Sequence, residues 1–368
     1  MTKSVLVFPV LFLLLFPCAE AQVHYPDATL RLHPVWSRVA DVFGEWGSVE
    51  SVEFSPDGRY LVSGAKFDNS VILWRTSDGA ELWRQYVPQE IERVGWSADG
   101  QFVASCSEDD TVRVWRAADG ALAMTLPHEQ GIDGLAWSNT GSRLVTGEEG
   151  QQIVRDGEER TVGWLRVFQL PAGEQVHRID FGGTINEIMF SDDDRYVLAA
   201  GHGGVRVYDA TDMTLLQTLA PDHFVKFTTA DFTPNNQYIA ASGFGGDIYV
   251  WEWQSGELAK RFNYRGRKTE SLCWHPGGDY LVTSGHGPYI NIFRTKEILS
   301  DLDDEVSVAA QVFANDGAEY IDFNADGSFL VSAHQDGVIR LWVWKGEDPY
   351  LNTKRHRWVS EQQRQADN

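Results

Sequence analysis

The stretch Val49–Trp74, VESVEFSPDGRYLVSGAKFDNSVILW, decides the fold. It reads as three short strands and two turns. Val49, Val52 and Phe54 give the first strand its apolar positions. Ser55-Pro56-Asp57-Gly58 is a turn, because proline pre-sets φ and glycine tolerates positive φ. Tyr60–Val62 is a second apolar run, Asp68-Asn69 turns the chain again, and Val71–Trp74 is a third strand. A sheet this small cannot bury both of its faces, so further copies must pack on it.

The copies are present. The aromatic that ends the first strand recurs as Phe54, Trp96, Trp137, Phe190, Phe232, Trp274 and Phe323. A turn follows each: SPDG at Ser55, SADG at Ser97, SNTG at Ser138, SDDD at Ser191, TPNN at Thr233, HPGG at His275 and NADG at Asn324. The third strands end in Trp74, Trp115, Phe168, Tyr208, Trp251, Phe293 and Trp342. Seven units with a period of about 42 residues predict an all-β, seven-bladed propeller of four-stranded antiparallel blades over residues 48–344. Two units are longer. One carries the polar insertion Glu148–Gly163, between the second and third strands of blade three. The other carries Thr295–Glu305 in blade six, with Asp301, Asp303, Asp304 and Glu305. That acidic run lacks the alternating ligands and glycine of a calcium loop and reads as a solvated loop.

These turns and aromatics resemble the WD-repeat family of β-propellers over Val39–Trp344. The likeness is incomplete. Only Tyr208-Asp209 keeps an Asp after the third-strand aromatic, and the Gly-His opener is absent as a dipeptide. His128 and His223 stand at the matching places, and Asp68, Asp109 and Asp336 match the family's turn Asp. The resemblance implies a set of hydrogen bonds inside each blade that is only partly present here.

The ends of the chain read differently. Lys3, the apolar run Ser4–Phe16 and Ala19-Glu20-Ala21 form an export signal over residues 1–21, with a mature start at Gln22. The run is too short for a membrane span. The protein is therefore expected in a bacterial periplasm or outside the cell. Residues 22–47 precede the first full copy. Within them Arg38–Phe43 alternates like a lone strand, placed to complete blade seven beside Val338–Trp342 and close the ring. Residues 345–368 read as a polar, disordered tail with the basic cluster Lys354-Arg355-His356-Arg357. Cys106 and Cys273 fall in non-neighbouring units and read as small buried residues rather than a disulfide.

Function is fainter. The net charge of −22 argues against nucleic acid, which demands basic stripes, and favours cationic or basic partners. No phosphate loop, nucleophile elbow or metal-spaced cysteine pair occurs, so neither cofactor nor metal is expected. His202, His286 and His334 each follow a second strand, in GHGG, GHGP and AHQD. If they converge on one rim, they would suit a metal site or the acid–base chemistry of a polysaccharide lyase or hydrolase. The residue four before each first-strand aromatic carries more signal: Glu50, Glu92, Asp133, Asn186, Thr228, Glu270 and Glu319. Five are carboxylates, where composition places about one. In the family this position resembles the entry of the innermost strand at the channel mouth. The five fall on contiguous blades, six through three. Arg265-Gly266-Arg267-Lys268 adds a basic patch beside the gap. The reading is a non-catalytic scaffold that uses this mouth to hold a protein or peptide partner of basic character.

Overall fold

The computed structural model describes residues 30–43, 47–155, 158–263, 267–300 and 305–345. The export signal, the tail beyond Lys345 and the 301–304 part of the acidic run lie outside these residues.

Seven four-stranded antiparallel sheets stand around a channel, as the repeat predicts. Blade one shows the pattern. Val49–Phe54 lines the channel, Tyr60–Ala65 and Ser70–Arg75 follow outward, and Ala80–Tyr86 forms the rim. The second strand is buried almost throughout, whereas the fourth is mostly exposed or half-buried. Each core is shared between neighbouring blades. Val49, Phe54 and Trp74 of blade one, for instance, pack with Val331, Ile339 and Leu341 of blade seven. No blade is stable alone, because its apolar face is completed by the next.

The turn after most inner strands uses one device. Ser55 Oγ donates to Asp57 Oδ1 at 2.7 Å and accepts the Tyr60 N–H at 3.0 Å, while Gly58 takes φ +68°. SDDD and TPNN lack that glycine. Asp194 and Asn236 adopt the left-handed conformation instead, at φ 57° and 55°, as short polar side chains tolerate.

The hydrogen-bond set inside the blades is partial. Trp74, Trp115 and Trp342 donate their indole N–H to Ser63, Ser105 and Ser332 at 2.8–2.9 Å. In blade three His128 Nε2 meets Thr146 Oγ1 at 2.8 Å. The insertion of blade three is a separate two-stranded hairpin, Gln151–Arg155 with Glu158–Val162. That of blade six begins with a single helical turn, Thr295–Ile298.

An amino-terminal strand does pair with Val338–Lys345, as the outermost member of blade seven's sheet. It is Arg31–Val39, upstream of the expected Arg38–Phe43. Beyond Val39 the chain leaves the ladder. The Ala40 and Asp41 N–H groups both go to Gly337 O, and the buried Asp41 carboxylate accepts the Phe43, Ser48 and Phe67 N–H groups. The strand also grips blade one. Trp36 Nε1 donates to Thr76 O at 2.8 Å, and Arg38 Nε to Gly79 O at 2.9 Å.

Candidate functional site

Every inner strand carries a register shift at the same place. Val49 pairs with Ala65 and Ser51 with Gly64, so Glu50 is left out of the ladder. The same shift skips Glu92, Asp133, Asn186, Thr228, Glu270 and Glu319. A bulge re-aims the extra residue. Here all seven line one cavity of about 570 Å³ at a mouth of the channel. The fourfold offset read from the sequence is thus a bulge position, and the structure brings the five carboxylates together.

The two neutral members have another task. Asn186 Nδ2 donates to Phe227 O at 2.5 Å, and Thr228 Oγ1 donates to Thr269 O, each bond joining one inner strand to the next. The gap in the acidic arc is therefore a pair of inter-blade ties.

A second ring surrounds the first. The residue just after each second strand is Lys66, Glu108, Glu149, His202, Phe244, His286 or Gln335, and all line this mouth. Eight carboxyl groups and four cationic side chains meet in the larger cavity. Lys66 Nζ sits 3.7 Å from Glu50, 3.2 Å from Glu90 and 3.6 Å from Glu92. Burial pulls its pKa down, but Glu50, Glu92 and Glu90 outweigh this and hold it above the usual lysine range. Lys268 Nζ lies 2.6 Å from Glu270 Oε1 and 4.4 Å from the centre of the Phe244 ring. A third carboxylate set, Glu108, Asp133 and Glu149, has oxygens within 4.8 Å of one another. Among the described residues it has no ion-pair partner. Burial, then Glu149 and Glu108, push Asp133 up to about 7. Burial, then Glu50, push Glu92 up to about 8. Glu319 reaches about 7 through burial and then Glu50 and Glu270. The mouth thus holds more negative charge than its own lysines neutralise. Phe67 and Phe244 stand at its rim, each more than half exposed.

The three histidines do not form one site. His202 lines the larger cavity against Phe224. His286 Nε2 is 2.7 Å from Glu270 Oε1. His334 is fully buried, with Nε2 2.7 Å from Ser332 Oγ and Nδ1 3.2 Å from Asp316 O. The reason is register. Gly201 and Gly285 pair with Ile185 and Thr269, and in blade seven the equivalent pair is His334 with Ala318. His334 therefore corresponds to the glycine, and Gln335 to His202 and His286. A slip of one residue sends a side chain to the opposite face. Among the described residues no three-ligand group contains two of these histidines.

Below the mouth an arginine crosses the channel. Arg93 of blade two reaches across to blade four, where Nη2 donates to Asn186 O at 2.8 Å and lies 3.5 Å from Glu187. Its guanidinium carbon lies 4.5 Å from the centre of the Tyr320 ring of blade seven. Beyond this plug a second cavity of about 690 Å³ opens at the other end. Glu53, Asp231 and Asp322 line it, and each accepts the backbone N–H of the next blade's aromatic: Trp96 at 3.1 Å, Trp274 at 2.7 Å and Phe54 at 2.8 Å.

This architecture defines a seven-bladed β-propeller. The family model "WD domain, G-beta repeat" matches residues 36–75, 88–116, 213–252 and 314–343. Eukaryotic translation initiation factor 3 subunit I of Emericella nidulans is 22% identical over 280 residues, 69% of this chain and 81% of that protein. Small ribosomal subunit protein RACK1z of Arabidopsis thaliana is 28% identical over 140 residues, 35% of this chain and 42% of that protein. The U3 small nucleolar RNA-associated protein 21 homolog of Schizosaccharomyces pombe is 23% identical over 185 residues, 46% of this chain and 20% of that protein.

Proposed function

We propose that this protein is an exported, non-catalytic scaffold that holds a protein or peptide partner of basic character at the acidic channel mouth. One observation carries the reading: seven bulges aim seven side chains into one cavity, where among the described residues the set Glu108, Asp133 and Glu149 has no ion-pair partner. Lys66 and Lys268 show how this mouth receives an ammonium group, with carboxylate oxygens 2.6–3.7 Å away. A partner's lysine or arginine would complete Glu108, Asp133 and Glu149 in the same manner, while exposed Phe67 and Phe244 give it apolar footing. Two similar proteins are named as parts of assemblies, a subunit of an initiation factor and a protein of the small ribosomal subunit. That supports a scaffold over an enzyme, as does the scattering of the three histidines.

Export to a periplasm or the cell exterior rests on the leader Lys3–Ala21. A native amino terminus at Gln22 by mass spectrometry supports it, and an intact Met1 overturns it. For the site, full-length wild type and Asp133→Asn/Glu149→Gln are compared as bait in extract of the source organism. The reading expects a basic partner held by wild type, released by salt and lost from the variant. Equal retention by both refutes the mouth as the docking site.

A further inference from the structure

The two ends of the propeller differ in what they expose. Among the described residues the exposed phenylalanine and tyrosine side chains are Phe43, Phe67, Tyr86, Phe224 and Phe244, and no tryptophan joins them. All five stand at the mouth end. Phe67 and Phe244 line the mouth. Phe224 meets edge-on the ring of His202, which also lines it. The Phe43 and Phe67 N–H groups share the Asp41 carboxylate, and Tyr86 pairs with Ser70 just past the turn that follows Phe67. Scattered exposed apolar residues are ordinary. Five aromatics at one end and none at the other mark that end for contact.

The described chain leaves at the opposite end. Gln335 lines the mouth, and the strand that follows it runs from Val338 to Lys345, away from the mouth. At its far end the Trp344 N–H goes to Ser328 O, in the turn whose Ala325 lines the second cavity. Beyond Lys345 the sequence carries Lys354-Arg355-His356-Arg357-Trp358, three fixed cations in four residues and then an indole. The mouth offers the complement. It holds eight carboxyl groups against four cationic side chains, with Glu108, Asp133 and Glu149 lacking an ion-pair partner among the described residues. Exposed phenyl rings surround them. The segment does not suit the mouth of its own copy. The strand of eight residues is about 23 Å long, and crossing the sheet to the channel adds about 15 Å more, so the way back is about 40 Å. Lys354 lies nine residues past Lys345, which reaches about 32 Å at full extension. We infer that the acidic mouth of one copy receives the Lys354–Trp358 segment of a second copy, linking copies head to tail. This rests on the reading of the mouth as a site for a basic partner, and it names that partner.

Such a contact joins two unlike surfaces. Each complex keeps one free mouth and one free segment, so copies add in series instead of stopping at a symmetric dimer. Two forces hold it, and they respond differently to salt. Attraction between Lys354, Arg355, Arg357 and the carboxylates speeds association and is screened as ionic strength rises. Trp358 against the phenyl rings at the rim buries apolar area, which salt does not screen.

The test is sedimentation velocity of the full-length protein over a range of concentrations, at low and at physiological salt. The expected result is a series that grows with concentration and shortens as salt rises. Lys354→Glu/Arg355→Glu/Arg357→Glu changes residues beyond the last strand of the propeller, and it should weaken self-association about tenfold or more. Asp133→Asn/Glu149→Gln should do the same from the mouth. Mixing these two variants is the sharper measurement, because one supplies an intact mouth and the other an intact segment. The mixture should give one-to-one dimers and nothing longer. If the mouth variant does not fold, a labelled peptide of residues 350–360 decides the matter: it should bind the segment variant, and Trp358→Ala in the peptide should weaken it several-fold. An unrelated peptide with the same number of lysines and arginines separates this inference from the reading beneath it. If that peptide binds and the 350–360 peptide does not, the inference alone is overturned; if neither binds, both are. The inference is also overturned if wild type stays monomeric at every concentration, if the segment variant associates like wild type, or if the mixed variants form no dimer.

Discussion

Raising the pH from 7 to 8.5 should destabilise this protein. Asp231 and Glu92 are pushed up to about 8, and Asp133, Glu319 and Asp322 to about 7, against ordinary values of 3.8 for Asp and 4.5 for Glu. Each of these groups binds its proton more tightly folded than unfolded. Its contribution to stability is complete below the unfolded pKa and is lost as pH rises through the folded one. Four histidines run the other way, because burial holds His128, His202, His275 and His334 below 6.5. Their contribution is complete above the unfolded value, so a window starting at pH 7 isolates the carboxyl groups. Allowing for coupling between neighbours, a net excess of about two protons in the folded state at pH 7 gives a slope of about 2.7 kcal/mol per pH unit. The slope fades as the groups ionise, so the window is worth about 2–3 kcal/mol. At about 0.6 kcal/mol per degree for a domain of this size, Tm should fall by about 4 °C. Differential scanning calorimetry at constant ionic strength reads this directly. Asp231→Asn/Asp322→Asn should flatten the fall and raise Tm at pH 8.5. A wild-type Tm that holds or rises over the window, or a variant that keeps the full slope, refutes the reasoning.

Two further outcomes follow from the contacts. Lys66→Met leaves Glu50, Glu90 and Glu92 without their shared cation and should cost about 2 kcal/mol in urea unfolding at pH 7.5, below a fully buried pair because the lysine is partly exposed. An unchanged midpoint at pH 7.5 counts against the ion cluster. Deleting the chain through Val39 removes the outer strand of blade seven and its bonds to Thr76 and Gly79, so Tm should drop by about 5–10 °C, and an unchanged melting curve rules out a closing role for the strand.

The fold was legible because its evidence is repeated. Seven turns with the same polar-to-glycine grammar, each fixed by a neighbouring aromatic, leave little freedom in where blades begin. The turns without glycine, SDDD and TPNN, stayed recognisable because Asp194 and Asn236 adopt the same backbone conformation. The amino-terminal strand was found but misplaced. It has no repeat partner to fix its register, and Pro34 interrupts its pattern at a bulge on an outer edge, where a missing N–H is tolerated. The acidic arc was legible for the same reason as the turns, since one offset applied seven times picks out one structural position. That this position is a β-bulge was not legible, because a bulge leaves no mark on a strand whose length does not change.

The parts of the mouth that escaped the sequence do so on chemical grounds. Lys66, Glu108, Glu149 and Phe244 share the register of His202 and His286, but a column that mixes ammonium, carboxylate, imidazole and phenyl groups carries no sequence pattern. His334 lies one residue short of that register, and nothing in AHQD marks the shift that buries it against Ser332. Arg93 is harder still. Its partners, Asn186, Glu187 and Tyr320, lie on blades four and seven, and no spacing rule links one column's Arg, Glu and Tyr into a plug. Yet that plug decides how the channel works. An open bore would place the carboxylates of both ends in one field and let a cation pass between them. With the Arg93 guanidinium across the middle, each end faces a fixed positive charge. The ring at the mouth and the far chamber therefore sit on opposite sides of one guanidinium, and the carboxylates of the far chamber tie each inner strand to the next.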